Sequence, residues 1–228
     1  MTETIVNPLP PEGCRIGIVG KGGDGKSTIA GHMLGHWSAW GIPCAGMDAD
    51  VPGESEDGSL FEWSDEHDLG ASVHRAPAAS GVLREITSIT PKHGIGLMDS
   101  GAWMRHRGNG CLAVLAASEL LVVTMQPTKA EFKRIWSIIS HVEQLALTGR
   151  APRVVVLLTR TDARTAMAEE FRADLEAEKQ TVLKTTIPNQ SGRDGYGQAL
   201  GKPLRLAQDD AMSQLAAELL REAVKKNG

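Results

Sequence analysis

Short apolar runs alternate along this chain with longer segments in which apolar residues recur at helical spacing. The runs predicted to be strands lie at residues 14–19, 44–47, 94–98, 120–125, 154–158 and 182–187. The segments predicted to be helices lie at residues 27–40, 110–117, 129–147, 164–178 and 209–225. Several of the strands lack polar alternation, which is typical of strands covered on both faces. The pattern therefore predicts an α/β fold with a doubly wound, mostly parallel sheet flanked by helices.

The composition is that of a soluble globular protein, with 228 residues of which 41% are hydrophobic and 23% charged. We expect a single domain over residues 13–228, preceded by a disordered tail over residues 1–12 that contains Pro8, Pro10 and Pro11. The tail has no basic segment followed by an apolar run, as a signal peptide would. Because no run of about 18 apolar residues occurs, we also expect no membrane span and a cytoplasmic location.

Residues 20–28, with the sequence GKGGDGKST, match the phosphate-binding pattern G-x-x-x-x-G-K-[ST] between the first predicted strand and the first predicted helix. We call this segment the phosphate loop. Its glycines let the backbone approach phosphates, and amide groups at the helix N-terminus favour anions. Lys26 is predicted to reach the β- and γ-phosphates, and the Ser27 hydroxyl to bind Mg²⁺. The residues predicted to contact the nucleotide are Gly22, Gly23, Asp24, Gly25, Lys26, Ser27 and Thr28.

Carboxylates follow two of the predicted strands, where ligands of a doubly wound sheet bind. Asp48 and Asp50 come after the second predicted strand, and Asp99 comes after the third. Asp99 is predicted to hold Mg²⁺ in the manner of a Walker B aspartate, and Asp48 to orient the attacking water. Either carboxylate could instead cap a helix or a turn.

With these motifs the chain resembles the ParA/MinD family of deviant Walker ATPases, most of all the short ParA-type partition proteins. The resemblance depends on Lys21 within the phosphate loop, on Asp48-x-Asp50, on residues 98–101 (MDSG) and on residues 123–128 (VTMQPT). Weaker similarity extends over residues 158–160 and 192–201, and Arg160 is included among the nucleotide-binding residues. The resemblance implies a P-loop NTPase that uses ATP/ADP and Mg²⁺ and hydrolyses ATP with weak basal activity.

The family resemblance also implies partners. Lys21 would act catalytically across a homodimer in which two ATP-bound subunits enclose their nucleotides, so that hydrolysis separates the subunits. Non-specific DNA and a ParB-like centromere-binding protein would complete a system that segregates plasmid or chromosomal DNA. The resemblance therefore implies a nucleoid-associated protein with no membrane partner.

Two features depart from the family pattern. Asp24 stands where a small or apolar residue is usual, and it would repel phosphate unless it points away or pairs with a cation such as Lys21. Residues 51–53 (VPG) replace the usual Pro-Gln after Asp50. The acidic stretch over residues 54–68 contains Leu60, Phe61 and Trp63, so we predict an ordered surface loop there.

The charge distribution bears on DNA binding. The net charge is −4, but residues 1–149 hold 11 basic and 17 acidic side chains whereas residues 150–228 hold 13 basic and 11 acidic ones. Basic side chains in or near predicted loops of the second part could form a phosphate-binding stripe, although each could also be ordinary surface charge. These DNA-binding candidates are Arg164, Arg193, Lys202 and Arg205, with Arg160 close by.

Three alternatives belong to other classes. In a MinD-like positioning ATPase the C-terminal helix would bind membranes, but it lacks the aromatic residues and dense basic face of an anchor, so we predict a core helix. A metabolic P-loop enzyme of the dethiobiotin-synthetase type is disfavoured by Lys21. An iron-sulfur carrier needs paired cysteine ligands, whereas Cys14, Cys44 and Cys111 are isolated from one another.

Overall fold

A computed structural model describes residues 9–50, 60–76, 78–103, 109–190, 192 and 195–225. The strands are β1 (Cys14–Val19), β2 (Cys44–Ala49), β3 (Val73–Arg75), β4 (Ile95–Ser100), β5 (Leu120–Met125), β6 (Arg153–Thr161) and β7 (Ile187–Pro188). The helices are α1 (Lys26–Ala39), α2 (Leu60–Glu66), α3 (Val82–Ile89), α4 (Asn109–Ala117), α5 (Lys129–Ala146), α6 (Met167–Ala177) and α7 (Ala211–Ala223).

The strands form one sheet in the order β3-β2-β4-β1-β5-β6-β7, and every pair of neighbours is parallel. β1 lies at the centre, between β4 and β5. β2, β3 and β4 lie on one side of β1, and β5, β6 and β7 lie on the other. In such sheets ligands bind beside the carboxyl ends of the strands, where the two halves of the sheet meet. The predicted fold class, a doubly wound α/β sheet of P-loop NTPase type, is confirmed.

Alternating residues of each strand supply two hydrophobic layers. Ile16 and Ile18 of β1 pack in the layer formed with α1 and α7, whereas Val19 packs in the layer formed with α4 and α5. Gly17 also faces α4, because a Cβ on it would lie 2.7 Å from Val114 Cγ1. Both faces of the central strands are thus covered, which explains why their sequences lack polar alternation.

Predicted and observed elements agree best at the centre of the sheet. β1 and β5 have the predicted bounds, and β2, β4 and β6 are each longer than predicted. The prediction of a strand over residues 182–187 is wrong in most of its length: Val182 forms an isolated parallel bridge with Val156, and β7 has only two residues. β3 and α3 were not predicted.

The acidic stretch also differs from its prediction as a loop. Residues 60–66 form α2, with Leu60 and Trp63 buried against α1, while residues 51–59 lie outside the described part of the chain. At the N-terminus, Leu9 is buried in the core, and the Pro10 and Pro11 carbonyls accept hydrogen bonds from Gly13 and His93. Packed structure therefore begins before residue 13, so the predicted boundary of the tail is too late.

The C-terminal helix α7 packs in the core, as predicted. Its apolar residues Met212, Leu215, Ala216 and Leu219 are fully buried in the layer that contains α1. The indole N–H of Trp37 on α1 donates a 3.0 Å hydrogen bond to the Ala216 carbonyl. Among the residues that the structure describes, none of the helices combines the length and the apolar character needed to cross a bilayer.

Candidate functional site

The phosphate loop connects β1 to α1 at the carboxyl edge of the sheet. Gly23 and Gly25 both have φ of 83°, a left-handed conformation that L side chains rarely adopt, and Gly25 is the residue before α1. The loop borders a cavity of about 620 Å³, together with Asp48, Asp50 and Asp99 from the ends of β2 and β4. The predicted phosphate loop and both predicted carboxylate sites therefore meet at one cavity.

Lys26 is the first residue of α1 and is only 7% exposed. Its Nζ donates a 3.0 Å hydrogen bond to the Lys21 carbonyl across the loop. Burial of the aliphatic stem leaves the ammonium group little freedom to move away from the cavity. The ammonium group is thus held beside the loop, where a phosphate oxygen can replace the Lys21 carbonyl as its hydrogen-bond acceptor.

Asp99 is buried in β4, with 2% of its surface exposed. Its Oδ1 has no hydrogen-bond partner among the described residues. Burial raises the pKa of the carboxyl group to about 7, Lys26 opposes this rise, and Asp48 adds to it. A hydrogen bond with Ser27 also lowers the pKa of Asp99. An unpaired buried carboxylate oxygen beside a hydroxyl is a donor set that suits Mg²⁺, so the residues fit that ion.

Asp48 lies within β2, directly opposite Asp99 in the parallel register of β2 and β4. Its Oδ1 accepts a 3.0 Å hydrogen bond from the Asp50 amide, and its Oδ2 accepts one of 3.0 Å from the Phe61 amide of α2. The carboxylate is 1% exposed but still lines the cavity. Each oxygen has a second lone pair, so Asp48 can still accept a hydrogen bond from water.

Asp24 lines the cavity but is only 1% exposed, and both of its carboxylate oxygens are engaged within the protein. Its Oδ2 accepts a 3.1 Å hydrogen bond from the Lys21 amide, and its Oδ1 accepts one of 2.8 Å from Gln126 Nε2. Burial raises the pKa of Asp24, and the Gln126 hydrogen bond acts in the opposite direction. Lys21 Nζ lies 3.3 Å from Glu131 Oε1 rather than beside Asp24. Sequence reasoning missed Gln126 and Glu131, which are distant in sequence.

The other end of the cavity is formed by the ends of β6 and β7. Arg160 has φ of 50°, and its Nη2 lies 3.9 Å from where a Cβ on Gly23 would be. The adjoining Thr159 has a buried Oγ1 with no partner among the described residues. Arg160 is therefore close to the phosphate loop. Further residues that line this end, and that sequence reasoning missed, are Thr159, Ile187, Pro188, Asn189 and Gln190.

The DNA-binding candidates fall into separate groups. Lys202 and Arg205 line one cavity of about 530 Å³ together with His32 and Tyr196. Arg164 is highly exposed and donates to both carboxylate oxygens of Asp162, at 2.9 Å to Oδ1 and 2.7 Å to Oδ2. Arg193 lies outside the described residues. The structure thus brings two of the four side chains to the same cavity.

Taken together, the sheet and the phosphate loop define the fold: a doubly wound α/β sheet with a P-loop at its carboxyl edge. No family model matches the chain, and no curated protein matches it in sequence. Solved structures do match. The cell division ATPase MinD from Pyrococcus furiosus superposes with a TM-score of 0.68 at 18% identity, covering 92% of this chain and 99% of that one.

Two further structures show the range of proteins that share the fold. McdA from Cyanothece, solved with ATP, has a TM-score of 0.63 at 17% identity, covering 94% of this chain and 98% of that one. Cobyrinic acid a,c-diamide synthase from Mycobacterium smegmatis, solved with ADP and magnesium, has a TM-score of 0.62 at 16% identity, covering 92% and 94%. The resemblance to the ParA/MinD group is therefore confirmed for the fold.

Proposed function

We propose that the protein is a Mg²⁺-dependent ATPase that dimerises on ATP, binds DNA non-specifically and segregates plasmid or chromosomal DNA. The observation that carries the proposal is the cavity in which the phosphate loop, with Lys26, meets the unpaired oxygen of Asp99. The fold shared with MinD and with ATP-bound McdA supports it.

In this proposal the residues of one subunit prepare the phosphoryl transfer. Residues 22–28 and Arg160 surround the triphosphate, and Lys26 leaves the Lys21 carbonyl to neutralise phosphate charge. Ser27 and Asp99 would hold Mg²⁺, which when bound shields the charge of the β- and γ-phosphates. Asp48, fixed by two backbone amides, orients the attacking water. ATP and ADP are the expected nucleotides.

Lys21 is the residue that links hydrolysis to dimerisation in this proposal. Its side chain is 45% exposed, and its Nζ lies 3.3 Å from Oε1 of the buried Glu131, an oxygen that Arg134 also contacts, at 2.6 Å. Because Arg134 stays on that oxygen, Glu131 keeps an ion-pair partner when Lys21 leaves. Lys21 can therefore leave Glu131 at small cost and reach the nucleotide of a second subunit.

The proposed partners beyond a second subunit are DNA and a ParB-like protein that stimulates hydrolysis. The basic balance of residues 150–228 supports non-specific phosphate binding, with Arg164, Arg193, Lys202 and Arg205 as the candidate side chains. The packing of α7 in the core supports DNA over a membrane as the surface on which the protein cycles, because its apolar face is already covered. We accordingly propose a nucleoid-associated, cytoplasmic protein.

A metabolic role is the second candidate, because the fold is also that of cobyrinic acid a,c-diamide synthase with bound ADP and magnesium. In that case ATP would activate a small substrate, and neither DNA nor Lys21 would be needed.

DNA co-sedimentation with ATP, with ADP and without nucleotide tests the proposal. We expect salt-sensitive DNA binding that requires ATP and is lost in Lys21→Ala. Lys92→Ala, which removes an exposed lysine next to the opposite end of β4, is the matched control and should behave like the wild type. Binding of Mg²⁺-ATP without DNA affinity in any nucleotide state would contradict the partition role and favour the metabolic one.

A further inference from the structure

Asp24 occupies an unusual place for a carboxylate beside a triphosphate site. Both of its oxygens are engaged inside the protein, one by the Lys21 amide and one by the Gln126 side chain. Its own amide donates a 3.3 Å hydrogen bond to the Lys21 carbonyl, so Asp24 and Lys21 are joined in both directions. The side chain therefore acts on the backbone of the phosphate loop and on the segment that follows β5.

Gln126 connects this pair to the rest of the sheet. It follows β5, the strand that lies next to β1, and it precedes Thr128, whose Oγ1 caps α5 by accepting from the Glu131 amide. Glu131 in turn holds Lys21 Nζ. Gln126 and Glu131 thus hold Lys21 at two points. Gln126 holds its backbone through Asp24, and Glu131 contacts its side chain directly.

The two contacts differ in how easily they can break. Asp24 is almost fully buried, whereas Lys21 and Arg134 leave their shared contact with Glu131 open to solvent. A buried hydrogen bond to an ionised group is costly to lose, because the carboxylate is then left unpaired in a poorly solvated position. The backbone of Lys21 is therefore held firmly while its side chain stays free to exchange partners.

We propose that Asp24 is a positioning residue that braces the phosphate loop against β5 through Gln126, so that the loop has its nucleotide-binding shape before the nucleotide arrives. This role rests on the proposed function of the site as an ATPase centre. The brace explains how the chain tolerates a carboxylate in this position: two N–H donors, the Lys21 amide and the Gln126 side chain, occupy its two oxygens.

The substitutions Asp24→Ala and Asp24→Asn distinguish the effect of the two hydrogen bonds of Asp24 from the effect of its negative charge. Alanine removes both contacts. Asparagine keeps them without the charge, since its Oδ1 accepts from the Lys21 amide and its Nδ2 donates to Gln126 once that amide is flipped. Asp174→Asn, on the exposed face of α6, is the matched control. Gln126→Ala and the Asp24→Ala/Gln126→Ala double variant complete a cycle that measures the coupling between the two residues.

The measurements are the dissociation constant of a fluorescent ATP analogue with Mg²⁺, kcat and KM for hydrolysis, and urea unfolding to verify the fold. We expect Asp24→Ala and Gln126→Ala each to weaken nucleotide binding and raise KM by about 10- to 100-fold, with kcat changed much less. The double variant should be no weaker than Asp24→Ala, and Asp24→Asn should recover most of the affinity. The pattern of a raised KM, rescue and non-additivity is not expected of a general loss of stability.

Two outcomes would overturn the proposal. If Asp24→Ala and Asp24→Asn both bind nucleotide more tightly than the wild type, the carboxylate acts through its charge and repels phosphate. If all variants bind as the wild type does, the brace has no role in nucleotide binding. Should the wild type itself fail to bind the analogue with Mg²⁺, the ATPase proposal falls, and the role of Asp24 falls with it.

Discussion

Among single residues, Asp99 couples the stability of the protein most directly to pH. Burial raises its pKa to about 7, above the value of about 3.9 expected in an unfolded chain. Between these values the folded protein holds a proton that the unfolded chain has lost. The free energy of unfolding therefore contains a contribution that is complete below about pH 4 and disappears as the pH rises through about 7.

It follows that Asp99→Asn should stabilise the nucleotide-free protein at alkaline pH. In the presence of a chelator we expect a free energy of unfolding at pH 8 that exceeds the wild-type value by roughly 2–4 kcal/mol, and a much smaller difference at pH 5. Urea unfolding at both pH values measures this, with the exposed Asp174→Asn as control. If the free energies of unfolding of Asp99→Asn and the wild type differ by the same amount at both pH values, the raised pKa of Asp99 is contradicted. The same variant should lose Mg²⁺-dependent nucleotide binding.

The residues of the site were predictable to different degrees. Lys26, Ser27 and Asp99 could be found from the sequence, because their spacing is fixed by one loop and one strand end. The orientation of Asp24 could not, since it depends on Gln126, which lies 102 residues away in sequence. Thr159 is unremarkable in the sequence, and its unpaired buried hydroxyl becomes visible only when β6 is placed next to the cavity.

At the scale of elements, the packing of α2 on α1 links the acidic segment to the site. Gly31 of α1 makes room for Trp63, because a Cβ on Gly31 would lie 2.2 Å from Cζ3 of the indole. The indole N–H of Trp63 donates a 2.7 Å hydrogen bond to the Lys202 carbonyl. α2 also supplies the Phe61 amide that holds Asp48. Displacing Trp63 should therefore disturb Asp48 as well as the core.

We expect Gly31→Ala to destabilise the protein, although alanine favours the helix by about 1 kcal/mol over glycine. Overpacking against a fully buried ring costs typically about 1–3 kcal/mol, so the net change should be a lower midpoint in thermal unfolding together with slower ATP hydrolysis. Gly192→Ala is the control, since among the described residues no atom lies within 4 Å of a Cβ at that position. Unchanged stability and activity in Gly31→Ala would show that Trp63 can move without consequence.

Elements covered on both faces were the easiest to predict. The central strands β1 and β5 are apolar apart from Arg15 and Thr124, and their bounds follow from the sequence. β3 and β7, at the edges of the sheet, have three and two residues, which are too few to show a periodic pattern in the sequence. α2 was not predicted from the sequence, because charged residues surround its two buried side chains, Leu60 and Trp63.

For the whole molecule, two histidines of α1 oppose the effect of Asp99 on pH dependence. Burial lowers the pKa of His32 and of His36. The unfolded chain binds these protons near pH 6.5, and the folded protein binds them only at lower pH. Their contribution to stability is present above pH 6.5 and is lost as the pH falls from there through the lowered pKa values.

The histidine effect can be isolated in the Asp99→Asn background. There we expect the free energy of unfolding to rise from pH 5 to pH 7, and His32→Gln to reduce that rise even if it lowers stability overall. Urea unfolding at intervals of half a pH unit gives the slope of the free energy of unfolding against pH. An identical slope with and without His32 would assign the acid sensitivity to other groups.

The parallel order of the sheet has a consequence for how the protein is made. β1 pairs with β4 and β5, and the brace from Asp24 to Gln126 spans 102 residues. At a synthesis rate of about 5–20 residues per second, the phosphate loop leaves the ribosome roughly 5–20 s before Gln126. For most of that interval neither β4 nor β5 has been synthesised to pair with β1. Under the proposed function, the phosphate loop therefore gains its nucleotide-binding shape only after more than half of the chain has been synthesised, and nucleotide can assist only the later stages of folding.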